Sequence, residues 1–355
     1  MLASDTSVRR LRFDSPTVLW LLVGLGVVLR LIAYAAHTSL RLDEILLSRN
    51  ILDLPLARLV LEPLQLDQVA PRGFLAVERI AVVALGRDEF VLRLFPFLCG
   101  LAALLLYPRL ARRTLDGLAI PIAVALVAFA IPFIKYGTEV KQYICDATVA
   151  VVLLSAAVTL HHEDATLGRR IAFGALAFVV IWFSQASVVM MGGIGVAFAI
   201  EWLVTRNART WGVLTTTIPM WGIASLVAVV AGLRSMTPST REFMDDFWHQ
   251  GFLPRPTSLS GALAWLWNQS ISAFSDPTLL VYPWAPLFAV LAVIGVIAMW
   301  RRERVHALIV VAPLAMALIA AIAHQYPLRG RLMFYLMPSL LLAVASGISW
   351  LGQWT

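Results

Sequence analysis

Apolar residues along this chain gather into long runs separated by short polar breaks. Runs of about 18 or more such residues recur from end to end, the length that carries an α-helix across a bilayer. The pattern predicts ten transmembrane helices, near residues 17–36, 91–109, 118–135, 144–160, 170–184, 188–205, 210–233, 285–300, 306–323 and 331–350. The first run is too long for a signal-peptide core and lacks a small-residue cleavage site, so it reads as a retained span. Residues 73–86, "GFLAVERIAVVALG", are apolar but short, with Glu78 and Arg79 side by side. Fourteen helical residues rise about 21 Å, less than a hydrocarbon core of about 30 Å. This segment is expected to lie as an amphipathic helix at the outer interface.

Composition agrees with the pattern. Of 355 residues, 60% are hydrophobic and only 14% charged, and mean hydropathy is +0.82. A soluble domain carries roughly 25% charged residues. The fold class is therefore an all-α polytopic membrane protein. The net charge of +7 raises nucleic acid as a partner. However, the arginines cluster between spans, at Arg9/Arg10/Arg12, Arg109/Arg112/Arg113, Arg169/Arg170, Arg206/Arg209 and Arg301/Arg302/Arg304. Ten spans and a cytoplasmic N-terminus put every cluster on the cytoplasmic side, as the positive-inside rule expects. Nucleic acid is set aside.

This topology makes residues 1–355 one integral membrane domain with two large outer loops, 37–90 and 234–284. The second loop carries Trp248, Trp265, Trp267 and Trp284, which suit a membrane interface. No soluble outer domain is expected after the tenth span. Cys99 and Cys145 match no metal or disulfide spacing and read as buried thiols.

Three polar constellations fall on the outer face. "SLRLDEILLSRN" places Asp43 and Glu44 just past the first span. They can be a helix's charged first turn, or a carboxylate base for an acceptor hydroxyl. "IKYGTEVKQYICD" holds Lys135 and Lys141, the two lysines of the chain, with Glu139, Gln142, Tyr143 and Asp146. Ionisable groups entering a span usually face a cavity, and a cation there can hold a lipid phosphate. "QYPLRGRLMFYLMP" puts Arg329 and Arg331 outside, against the positive-inside trend. Either a headgroup contact or a catalytic phosphate contact accounts for them. Arg30 and Arg93, at the first two spans, are expected to snorkel or pair with acids. Asp245/Asp246 make a poor divalent-cation site, and no Walker A, dinucleotide or zinc pattern is present.

The order of these pieces resembles the GT-C class of polyprenyl-phosphate-sugar-dependent membrane glycosyltransferases, in the bacterial family 39 or PMT-like branch. Asp43/Glu44 match the acidic residue after the first span. "QVAPRGF" (68–74) matches a "QxAPPGF" stretch, and a helix to Gly86 follows. "LRLFPFLCG" (92–100), Glu139 to Tyr143, and Tyr326, Pro327, Arg331 and Pro338 match later motifs, as does the "FWHQGFLPRP" loop. Arg72 departs from the pattern, standing where the family often has a second proline. The resemblance covers nearly the whole chain and implies an inverting transfer of sugar from a polyprenyl-phosphate donor to an acceptor hydroxyl. It implies Asp43 as base, with Glu44 as alternative. Lys141, Arg331 and Arg72 are implied as donor-phosphate contacts. Gln68, Glu139, Gln142, Tyr143, Asp146 and Tyr326 would bind substrate or support the site. No metal cofactor is required in principle, although some relatives use a divalent cation.

A transporter or lipid flippase is the competing reading, but the sequence has no evident repeat and its polar residues crowd one face. The arginine- and alanine-rich composition suits a bacterial inner membrane with a periplasmic active face. The sugar and the acceptor class are not readable from one sequence.

Overall fold

The computed structural model describes residues 16–163, 165–275 and 284–353; the Arg9/Arg10/Arg12 cluster lies outside them. Sixteen α-helices and no strand occur among the described residues. They are α1 (Pro16–Ala35), α2 (Leu42–Asp53), α3 (Leu56–Leu61), α4 (Arg72–Leu85), α5 (Glu89–Thr114), α6 (Ala119–Phe129), α7 (Ile131–Lys135) and α8 (Tyr143–His162). Then come α9 (Leu167–Val180), α10 (Ser187–Thr205), α11 (Ala208–Arg234), α12 (Pro238–Trp248), α13 (Leu259–Ser275), α14 (Ala285–Arg302), α15 (Arg304–Ile322) and α16 (Met337–Leu351).

Eight described helical segments are long and apolar enough to cross a membrane: α1, α5, α8, α10, α11, α14, α15, and α16 with the 3-10 turns Gly330–Leu336 before it. Two of the ten expected spans come out differently. The run at 118–135 is broken, with α6 and the segment Ile131–Thr138 meeting at 50°. The run at 170–184 yields only the 14-residue α9, too short to cross alone. It still reaches the opposite end of the bundle, because the turn after it meets the start of α4: Gly73 N donates to Trp182 O at 2.7 Å. Among the described residues there are thus eight helical segments able to span, one bent pair and one short helix completed by a turn.

The helix break has a chemical cause. Pro132 has no N–H for the Ala128 carbonyl, and the chain turns extended at Ala130, which also strands Val127 O. Arg30 of α1, 1% exposed, supplies the missing donors to Ala128 O at 3.0 Å and Val127 O at 2.9 Å. It also bonds Gly26 O at 3.0 Å. Arg30 therefore neither snorkels nor pairs with an acid. It caps a broken helix.

Contacts fix which helix ends lie together. At one end Arg113 meets Glu163, Arg169 meets Glu163, His161 meets Glu201, and Arg302 meets Asp116. The four described arginine clusters share that end, as their spacing predicted. The other end gathers α2, α4, the start of α8, α12 and the 3-10 segment before α16. Near the basic end, α14 and α16 touch backbone to backbone: a Cβ on Gly347 would lie 2.0 Å from the Leu291 carbonyl oxygen, and one on Gly295 1.7 Å from that of Ala343. Gly347→Val is expected to push these helices apart at a cost of roughly 1–3 kcal/mol. Thermal unfolding in detergent would register this as a lowered midpoint, with no change for Gly24→Val on an open face.

Candidate active site

The segment between α1 and α5 is held by its own polar groups. Asn50 on α2 clasps the loop below it, donating to Gln65 O at 3.1 Å and accepting from Gln65 N at 2.8 Å. Arg79 of α4 caps the last turn of α2 through Ile51 O at 3.0 Å and Leu52 O at 2.9 Å. Glu78 beside it is fully buried, and neither carboxyl oxygen has a partner. Burial pushes its pKa well above the ordinary carboxylate range.

The acidic pair splits in two directions. Glu44 is 2% exposed, and both oxygens are committed. One accepts from its own helix start, Arg41 N, at 3.0 Å; the other accepts from Val140 N at 2.9 Å. Glu44 thus pins α2 to the 139–142 segment. Asp43 points the other way, into a cavity of about 610 Å³. There it accepts a hydrogen bond from Nη1 of Arg331. Burial alone would raise the Asp43 pKa, but the charges of Arg331 and Lys141 and the Arg331 hydrogen bond outweigh it. The net effect is a pKa below the ordinary value.

Lys141 reaches the same cavity from the start of α8, and its ammonium donates to Gln68 Oε1 at 2.9 Å. Burial brings its pKa down to about 8, with Asp43 opposing the shift. Arg331 is sandwiched, its guanidinium carbon 5.2 Å from the Tyr143 ring and 6.0 Å from the Trp248 ring. Gln142, Asp146 and Tyr326 also line the cavity. Asp43, Gln68, Lys141, Gln142, Tyr143, Asp146, Tyr326 and Arg331 are therefore brought together from four separate stretches of chain.

Two expected members stand aside. Arg72 turns away to the end of α11, donating to Ala231 O at 3.1 Å and to the Ser235 hydroxyl at 3.1 Å, and does not line the cavity. Glu139 lies behind the wall, paired with Lys135 at 3.6 Å and Arg41 at 3.7 Å. Burial raises its pKa against the pull of Lys135.

Of the other lining residues, Phe247 and Trp248 belong to the "FWHQGFLPRP" stretch, while Asp67, Phe243 and Met244 carried no sequence signal. Asp67 accepts from the Thr240 hydroxyl at 3.0 Å, and both Leu66 and Asp67 have positive φ, 61° and 51°. That strained turn aims Gln68 at Lys141. Phe243, Met244, Phe247 and Trp248 of α12 form an apolar wall. Two of the four loop tryptophans thus face inward rather than the membrane: Trp248 lines the cavity, and Trp265 is 7% exposed. Trp267 and Trp284 remain exposed. Asp245 and Asp246 sit beyond the cavity lining, around a separate depression on α12. Among the described residues no three His, Cys, Asp or Glu side chains are arranged to hold a metal ion.

A second cavity of about 350 Å³ opens beside the first, lined by apolar residues of α6, the break and α16, including Phe129, Pro132, Phe334 and Leu341. Aromatic rings bridge the two: Phe334 lies 4.8 Å from Tyr136, which lies 5.5 Å from Tyr143.

No family model and no curated protein matches the chain. Solved structures do. The crystal structure of ArnT from Cupriavidus metallidurans in the apo state superposes with a TM-score of 0.59 at 18% identity, over 96% of this chain and 62% of that one. The same protein bound to undecaprenyl phosphate gives 0.58 at 16% identity, over 94% and 60%. The chain has the GT-C fold. An Archaeoglobus fulgidus oligosaccharyltransferase, in complex with Zn and sulfate, gives 0.55 at 15% identity, over 95% and 49%. The chain thus spans less than two thirds of the length of each of these GT-C relatives in fold.

Proposed function

We propose that this protein is an inverting glycosyltransferase that moves a sugar from a polyprenyl-phosphate donor to an acceptor hydroxyl, with its site on the periplasmic face of the inner membrane. The observation that carries the reading is the meeting of one ionised carboxylate, Asp43, with two cations, Lys141 and Arg331, in a cavity beside an apolar groove. The GT-C fold, and its likeness to a structure holding undecaprenyl phosphate, support the same donor class.

In this mechanism the groove at the α6–α7 break takes the isoprenoid tail, and Lys141 and Arg331 take the phosphate. The acceptor oxygen forms a bond to the anomeric carbon from the face opposite the phosphate. Its proton passes to an Asp43 carboxylate oxygen. The bond from the anomeric carbon to the phosphate oxygen breaks, and the electron pair leaves on that oxygen. Polyprenyl phosphate therefore departs with one more negative charge than it had in the donor. Lys141 and Arg331 meet that charge where it develops. Glu44 is tied into the backbone, so the base is assigned to Asp43. Arg72 is assigned to the α4–α11 junction and not to the phosphate.

The test uses the purified chain in nanodiscs with a panel of radiolabelled polyprenyl-phosphate sugars, scoring sugar release and transfer. Turnover of one donor is expected; a panel that is uniformly inert, with directional movement of lipid or solute instead, would replace the reading with a transporter. The cation also sets a pH dependence. Lys141 titrates at about 8, so its charge is present below that pH and lost above it. Donor kcat/KM is expected to fall as pH rises through about 8, and Lys141→Arg should move that limb upward by more than a unit. A limb unmoved by Lys141→Arg assigns the titration to another group.

A further inference from the structure

A separate cavity lies at the opposite, basic end of the bundle. Helices α5 and α8 run side by side in the same direction. The Thr148 hydroxyl bonds Cys99 O at 2.9 Å, and fourteen or fifteen residues further along, Arg113 bonds Glu163 at 2.9 Å. Between the pair, near that end, lies a cavity of about 540 Å³ lined by Leu106, Arg109, Arg112, Arg113, Ser155 and Thr159. It continues the outward face of α5. Leu98 and Leu105 are 51% and 45% exposed on that face, one turn-pair apart, and exposed Arg112 is the next step of the same stripe. The stripe changes from leucine to arginine where a bilayer changes from hydrocarbon to headgroup.

The charges in this cavity are unbalanced. Arg113 is matched by Glu163, but Arg109 and Arg112 have no carboxylate partner among the described residues. On the facing wall, the buried Ser155 hydroxyl oxygen has no hydrogen-bond partner. Arginines that merely obey the positive-inside rule need neither a shared cavity nor an orphaned hydroxyl opposite them. We infer that this cavity binds the headgroup phosphodiester of an anionic phospholipid. Arg109 and Arg112 grip the phosphate oxygens through guanidinium hydrogen bonds, Ser155 supplies a neutral donor, and an acyl chain lies along Leu106 and Leu105. The site is separate from the outer cavity and does not depend on the proposed reaction.

Lipid retention tests it. The full chain in detergent would be titrated with phosphatidylglycerol, phosphatidylcholine and inorganic phosphate, reading bound lipid by native mass spectrometry and stability by thermal unfolding. The wild type is expected to retain phosphatidylglycerol about tenfold over phosphatidylcholine and to unfold at a higher temperature with it. Arg109→Gln/Arg112→Gln should lose that preference, while Arg302→Gln, a cation at the same end paired with Asp116, should keep it. Ser155→Ala, which preserves all charges, should weaken retention about threefold and serves if the double variant does not fold. Equal retention by wild type and these variants overturns the inference. Stabilisation by inorganic phosphate alone, to the same extent, also overturns it in favour of a free-anion site.

Discussion

Asp43→Asn is expected to abolish sugar transfer while leaving the lipid donor bound. An amide cannot accept the acceptor's proton, and loss of a general base typically costs about 10²–10⁴ in rate. A fall in kcat of roughly 10³ is expected. The same change frees Arg331 from its carboxylate partner. Affinity for polyprenyl phosphate should therefore hold or rise, because a competing anion has gone. Glu44→Gln should behave differently. Its amide would face the Arg41 N–H with a donor where an acceptor stood, at a cost of about 1–3 kcal/mol for the group left unsatisfied. The result is a less stable protein that still turns over. If donor binding falls in step with kcat in Asp43→Asn, the residue is architectural. If Glu44→Gln is the dead variant, the base has been placed on the wrong carboxylate.

Arg30→Met should destabilise the bundle even though Arg30 does not line the cavity. Methionine can fill the space but cannot donate, so the Val127 and Ala128 carbonyls are left bare inside the protein. Each buried orphan costs about 1–3 kcal/mol. Part of that is returned because a buried charge has also been removed. A fall in unfolding midpoint on the order of 10 °C is expected. Arg30→Lys should be nearly as damaging, since one ammonium lacks the planar fork that reaches both carbonyls. A variant with unchanged stability and unchanged donor turnover would mean that the break supports itself.

The sequence made much of this legible for a simple physical reason. Charge clustered at the edge of an apolar run is costly, so Asp43, Lys141 and Arg331 stand out against their surroundings, and all three line one cavity. Their arrangement was harder to see. Asp43 and Glu44 are adjacent and chemically alike, and what separates their surroundings comes from far along the chain: the Val140 N–H, 96 residues from Glu44, and Arg331, 288 residues from Asp43. Arg72 looked like a phosphate contact because its partners at Ala231 and Ser235 lie about 160 residues away. The broken span was hidden because an apolar run containing Pro132 reads the same whether straight or bent, and the donor that permits the bend sits on α1. The loop aromatics Phe243 and Phe247 reveal their inward face only once α12 is placed over the cavity.

The ion pair between Arg331 and Asp43 also carries a consequence for kinetic order. With no donor phosphate present, the carboxylate that must take a proton is occupied by a guanidinium, and its basicity is lowered. An incoming phosphate offers Arg331 a second anion and loosens that hold on Asp43. Under the proposed function, the donor thereby switches on the base that consumes it. A sugar acceptor, or a stray water, meeting the site first would find the base disarmed. The reaction then runs as an ordered sequence, lipid first and acceptor second.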